Sequence, residues 1–191
     1  MRQPWIVRLI IPLLFYFGSR VVLNRTENAP QTQQPTSPIT APQTAVSQSS
    51  APSTQKLRHP STAQIETEIH AQINTYRQSR GLSPLELDYR IIDESRKFSG
   101  KMASGAAEFS HDGFDQRAEN LEKKALKYAS VGENLALLQG YEDLATTAVE
   151  GWIDSPGHHE NIIGDYHLTG IGVVKNEEGV YYFTQLFLKR Q

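Results

Sequence analysis

The chain has 191 residues, 38% hydrophobic and 21% charged, enough for one folded domain with appendages. A net charge of −2 argues against nucleic acid or an anionic membrane surface as a partner drawn in by charge. The absence of cysteine excludes a disulfide framework, thiolate chemistry and a lipid-modified N-terminal cysteine; it leaves export open, with stability outside the cell resting on packing.

The first segment reads as a targeting signal. Arg2 and Arg8 flank the start of an apolar run from Leu9 to Phe17, a length that suits the core of a signal peptide. From Trp5 to Leu23 the chain is about long enough to cross a bilayer, which takes roughly 20 residues, although Arg8 and Arg20 interrupt it. Gly18-Ser19-Arg20 is a poor cleavage site, so residues 1–25 are read as a signal anchor, with a cleaved signal peptide as the alternative. Arg2 and Arg8 would keep the N-terminal side cytoplasmic. Residues 26–60 are rich in Gln, Thr, Ser, Pro and Ala and nearly free of large apolar side chains. Such a stretch cannot bury enough surface to fold and is expected to be a disordered tether.

The folded part is expected over 61–191. Ser61 and Gln64 fit a capping box, and Ile65, Ile69, Ile73 and Tyr76 recur at helical spacing until Gly81. A second helix should follow Asp88 as cap, with Ile91, Ser95, Phe98 and Met102 on one stripe and Gly105 as its end. A third is expected from about Tyr141 to Trp152, burying Leu144, Ala148 and Trp152. A short fourth begins at Ser155-Pro156, with Ser as cap and Pro at the first helical position. Glu133 to Leu138 and Thr169 to Lys175 read as strands. A turn at Asn176-Glu177-Glu178-Gly179 leads to a strand over Val180–Leu188. That last strand is apolar on both faces, which predicts a central position covered from both sides. Helices on both faces of a small antiparallel sheet make an α+β fold, a three-layer α-β-α sandwich.

Three short blocks carry the chemistry: Phe109-Ser110-His111-Asp112-Gly113-Phe114, Gly132-Glu133-Asn134-Leu135-Ala136, and Gly151-Trp152 through His158-His159-Glu160-Asn161-Ile162. Two imidazoles and a carboxylate in glycine-punctuated segments suit a metal site or acid–base work. His111 is placed on a loop, where it would be either a functional or a solvated residue. Glu133 enters an apolar strand, so it must be paired or hydrogen-bonded, whether as a cleft residue or as an anchor for backbone N–H groups or a histidine. His158 falls in the first turn of the short helix, whose positive end disfavours imidazolium and keeps the ring free to bind a metal or take a proton. His159, turned about 100° away, is read as solvated or partner-facing. Glu150 and Glu160 are the other carboxylate candidates, and His70 and His167 are read as structural or surface residues.

The three blocks in this order, followed by Gly170-Ile171-Gly172-Val173 and an aromatic strand, resemble the CAP superfamily of cysteine-rich secretory, antigen 5 and pathogenesis-related 1 proteins. The similarity is to its bacterial, cysteine-free SCP-like branch, over about 130 residues. The resemblance implies the same three-layer sandwich and a cleft containing His111, Glu133 and His158, with Asn134, Trp152 and Ser155 around it. That family's cleft carries a second Glu about three residues after the Trp; here Ser155 stands there, beside Asp154, so the tetrad is incomplete. Binding of sterols or lipids, binding of divalent cations and occasional protease activity are attributed to the family. The expectation is therefore an extracytoplasmic, non-enzymatic module for a small apolar ligand, a lipid, a cell-envelope component or a protein. It would touch the membrane through its N-terminal segment. His111 and His158 are expected to hold zinc or another divalent cation, weakly and with binding that fades below about pH 6. The alternative is a metal-assisted hydrolase or peptidase with His111 and His158 as ligands and Glu133 as third ligand or base. No His-Glu-x-x-His or Gly-x-Ser-x-Gly stretch supports standard hydrolase machinery.

Overall fold

A computed structural model describes residues 21–23 and 60–191. Of the expected targeting segment only residues 21–23 are among them, and of the expected linker only residue 60; the rest lies outside. Among the described residues no helix is long and apolar enough to cross a membrane.

The elements run β1 (Val21–Leu23), α1 (Thr62–Ser79), β2 (Glu86–Leu87), α2 (Tyr89–Ala103), α3 (Phe114–Lys123), β3 (Tyr128–Leu138), α4 (Leu144–Asp154), α5 (Pro156–Ile163), β4 (Leu168–Lys175) and β5 (Tyr181–Arg190). The capping box of α1 is formed: Ser61 Oγ accepts from Gln64 N, and Gln64 Oε1 accepts from Ser61 N. Asp88 caps α2 by accepting from Arg90 N. The third expected helix begins later than its apolar pattern suggested. Asp143 is the cap, because its carboxylate accepts from Thr146 N and so fixes the first turn of α4 at Leu144.

Five strands form one sheet in the order β1-β3-β5-β4-β2. Its pairs are antiparallel except β2 with β4, where two residues run parallel. β5 lies between β3 and β4, as its apolarity on both faces required: Phe183 to Leu188 are all buried. The sheet is covered on both sides. On one face Phe183 and Phe187 of β5, Ala136 and Leu138 of β3 and Ile171 and Val173 of β4 pack against Ile65, Ile69 and Ile73 of α1, Trp152 of α4 and Ile162 of α5. On the other face Leu186, Leu188 and Val131 meet Ile91 of α2 and Phe114, Ala118 and Leu121 of α3. Leu135 joins Phe98 and Met102 there. The result is the three-layer α-β-α sandwich.

The outer helix α2 rides directly on the backbone of β4. A Cβ at Gly170 would come within 2.3 Å of Ile92 N, and one at Gly172 within 2.2 Å of Arg96 N. The two glycines are what lets Ser95 Oγ donate to Gly170 O at 3.0 Å and Ser99 Oγ to Gly172 O at 2.9 Å. These bonds anchor the layer that carries one half of the site.

Candidate functional site

β3 organises the site because its residues alternate between the two layers. Glu133 sits in mid-strand rather than at its entrance, paired with Leu186 of β5, and is 0% exposed. It points toward the α2–α3 layer. Arg117 of α3 grips it from that side: Nε donates to Oε2 and Nη2 to Oε1, both at 2.6 Å. The guanidinium stacks 3.5 Å over the Phe98 ring of α2 and also donates to the carbonyls of Asp112 and His111. Glu133 Oε1 accepts a second bond, at 2.8 Å, from His111 Nδ1. A carboxylate has no proton to offer here, so His111 carries its proton on Nδ1 and turns Nε2 elsewhere. His111 lies on the loop before α3, as its sequence context indicated, and is 9% exposed.

The other side of β3 holds α5 in place. Asn134 Nδ2 donates to His158 O, and Asn161 Nδ2 donates to Glu133 O and to Asn134 Oδ1. Gly132 makes room for this: a Cβ there would fall 2.6 Å from both Asn161 Oδ1 and Tyr166 OH. Leu135 O accepts from Trp152 Nε1 at 2.9 Å, with Trp152 0% exposed. Each residue of Gly132-Glu133-Asn134-Leu135 thus does a separate job: clearance, ion pairing, capture of α5, and capture of α4.

His158, the third residue of α5, is 1% exposed, and neither ring nitrogen has a hydrogen-bond partner. His111 Nε2, Ser155 Oγ and Gln185 Oε1, the last on β5 in register with Asn134, are likewise buried and without a protein partner. Ser155 occupies the cap position of α5, yet its hydroxyl makes no capping bond. Burial, aided by the nearby His111, lowers the His158 pKa from its ordinary 6.5 to about 4. At neutral pH the ring is therefore uncharged, with a lone pair available. Buried polar atoms without a protein partner are uncommon in folded proteins. Neutral imidazole nitrogens with free lone pairs are of the kind that divalent transition ions take. Among the described residues no three His, Asp or Glu side chains gather into a metal-holding group. Both oxygens of Glu133 are engaged by Arg117 and His111, which makes it the carboxylate behind a histidine rather than a ligand.

The remaining candidates stand apart. His159, expected to be solvated or partner-facing, is half-buried against Tyr76, with Nε2 and Tyr76 OH 2.9 Å apart, and His70 Nε2 bonds to Leu85 O. Glu150 and Glu160 are exposed. Arg117 and Asn161 were not apparent from the motifs. The signal for α3 was present in Phe114, Ala118 and Leu121 at helical spacing, and it would have placed Arg117 one turn beyond the His111 loop. A groove of about 650 Å³ between α2 and α3 has Phe98, Asp112 and Arg117 in its walls rather than the imidazoles.

Comparison with known proteins bears on this arrangement. The profile of the Cysteine-rich secretory protein family (CAP) matches residues 70–187, a span that contains every residue of the cluster. The chain is 32% identical to the Bacillus subtilis membrane protein YlbC over 133 residues, covering 66% of this chain and 36% of that one. It is 28% identical to the Bacillus subtilis protein YkwD over 174 residues, covering 87% and 65%. The chain thus spans less than two thirds of the length of either relative. Among solved structures, an extracellular protein containing a SCP domain from Bacillus anthracis superposes with a TM-score of 0.54 at 26% identity, covering 68% of this chain and 43% of that one. An outer surface protein from Borrelia burgdorferi superposes with a TM-score of 0.60 at 23% identity, covering 69% and 97%, a likeness of fold.

Proposed function

We propose, from the premise that this chain belongs to the Cysteine-rich secretory protein (CAP) family, that it is an extracytoplasmic binding module whose His111–His158 cleft takes a divalent cation. The observation that supports this reading is the buried side-chain atoms without a protein partner: His111 Nε2, both nitrogens of His158, Ser155 Oγ and, opposite Asn134 on β5, Gln185 Oε1. His111 and His158 would hold the ion and Glu133 would orient His111; a bound cation would supply a Lewis-acidic contact for a polar group of a second ligand. That second ligand is a small apolar molecule, a cell-envelope component or a protein. The placement outside the cytoplasm, as an anchored rather than a released protein, draws support from the apolar run Leu9–Phe17 and from relatives described as membrane, extracellular and outer-surface proteins. A hydrolase would need Glu133 as third ligand or base, and Arg117 and His111 occupy both of its oxygens. The binding reading is therefore preferred.

Calorimetric titration with zinc tests it. The full chain should bind zinc with micromolar or weaker affinity, and His111→Ala/His158→Ala should abolish binding. Equal affinity in the two proteins removes the cation from the proposal. Peptide or ester hydrolysis that disappears in the double variant would replace binding with catalysis.

A further inference from the structure

By sequence, Val21–Leu23 end the apolar stretch of the expected targeting segment, and residues 26–60 follow as the expected tether. In the sheet, Val21, Val22 and Leu23 pair antiparallel with Gly132, Val131 and Ser130 of β3. The stretch 24–60 thus starts and ends on the same folded domain, at Leu23 in the sheet and at Ser61, the cap of α1. The β3 backbone explains why a strand belongs there. A ladder carbonyl that faces β5 has a backbone partner, so Glu133 O and Leu135 O, which accept from Asn161 Nδ2 and Trp152 Nε1, face the other edge. Alternate residues of a strand turn their polar groups the same way, which puts the N–H and C=O of Val131 on that edge too. Side chains of α5 and α4 close the edge at Glu133 and Leu135, and Val22 closes it at Val131. Val131 is 0% exposed, and without β1 its N–H and C=O would be an open rung of the sheet. Val-Val-Leu suits the place, since β-branched and apolar residues favour strands.

We infer that Val21–Leu23 is a strap: it seals the β3 edge next to Glu133 and fastens the domain directly to the end of the targeting segment, so that residues 24–60 do not set the distance between membrane and domain. The membrane part rests on the anchored reading above; the seal on β3 does not. A strand of the domain's sheet lies outside the bilayer, so the targeting segment leaves the membrane before Val21. Phe17, the last residue of the apolar run, is four residues from Val21, at most about 14 Å of extended chain. Residues 24–60, acting as a flexible spacer, would let the domain stand roughly 30–36 Å farther away.

Amide hydrogen exchange of the full chain tests the seal. The Val131 N–H should be protected, and Val22→Pro, which removes a ladder donor, should speed its exchange at least tenfold while the Phe183 amide in mid-sheet is unchanged. If Phe183 opens as well, a cysteine pair decides. The chain has no cysteine of its own, so Leu23→Cys/Ser130→Cys reports on one pair of opposed positions. Such residues have Cα atoms about 4.5–5.5 Å apart, within disulfide reach. Mild oxidation should close an intramolecular disulfide at least tenfold faster than in Leu23→Cys/Ser104→Cys, whose second position lies beside Val174 and Lys175 on the β4 side of the sheet. Val131 exchange within twofold of wild type in Val22→Pro, or equal disulfide rates in the two pairs, overturns the strap. Disulfide-linked dimers would seat the segment on a second copy and overturn it as a contact within one chain. For the membrane part, the full chain with a donor dye on Ser104→Cys is placed in vesicles carrying an acceptor lipid, and adding Val22→Pro should lower energy transfer about twofold. Unchanged transfer with an opened Val131 amide upholds the seal and defeats the membrane part. A chain that does not stay with the vesicles defeats that part together with the anchored reading.

Discussion

The two sides of β3 treat buried polar groups in opposite ways. On the α2–α3 side, Glu133, Arg117 and His111 Nδ1 satisfy one another, and Phe98 covers the guanidinium. On the α4–α5 side Asn134, Asn161 and Trp152 hold the carbonyls of His158, Glu133 and Leu135, yet the His158 ring and the Ser155 hydroxyl have no hydrogen-bond partner within the protein. The first half behaves as structure that happens to be charged. The second, on the proposed reading, is a socket on a rigid mount. Rigidity around unsatisfied donors is what a binding site requires, since the fold bears the desolvation of the imidazole in advance and a ligand can recover it.

Breaking each half should therefore have different consequences. The largest loss is expected from Glu133→Ala, which leaves Arg117 buried with no counter-charge. The expected destabilisation is about 3–5 kcal/mol by urea denaturation, and a loss below about 1 kcal/mol would show that solvent reaches the guanidinium. Trp152→Ala, at the root of the second half, should fall close behind at about 3–5 kcal/mol, because it empties a fully buried site and orphans Leu135 O. Gly132→Ala should cost less, about 1–3 kcal/mol, by pushing on Asn161 and Tyr166, and its crystal structure should show α5 displaced. An unshifted α5 would mean that Asn161 has space to turn aside.

The smallest effect sharpens the contrast most. His158→Leu replaces an unsatisfied ring by an apolar one, so stability near pH 7 should change by less than about 1 kcal/mol, in either direction. The pH dependence should change more. With its folded pKa near 4 against an ordinary 6.5, His158 binds its proton more readily in the unfolded chain, so its contribution favours folding above about pH 6.5 and is lost as pH falls toward 4. Melting temperatures across that window should decline less in His158→Leu than in the wild type. Identical pH profiles would mean that the ring is solvated in the folded protein.

The helical elements were readable because local rules govern them. The Ser61–Gln64 box, the Asp88 cap and the isoleucine stripe of α1 need only a few neighbouring residues, and the structure realises them as written. The central place of β5 followed from its composition. The start of α4 was misplaced because Tyr141 extends the apolar pattern while the Asp143 carboxylate decides where the first N–H groups are capped. The helix α3 was missed between two glycine-marked blocks, and Arg117 was missed with it.

What the sequence determined by itself is the identity and order of the chemical groups: His111, Glu133 and His158 in three blocks, Ser155 in place of a second acid, and glycines where close packing demands them. These depend on residue type and on spacing within a few turns of chain. Tertiary structure alone decided which of those groups are spent and which are free. Glu133 meets Arg117 across 16 residues and His111 across 22, whereas the His158 ring arrives from α5 without a hydrogen-bond partner in the protein. Whether a buried polar atom is satisfied depends on what the far side of the strand brings within hydrogen-bond reach, and no local pattern encodes that.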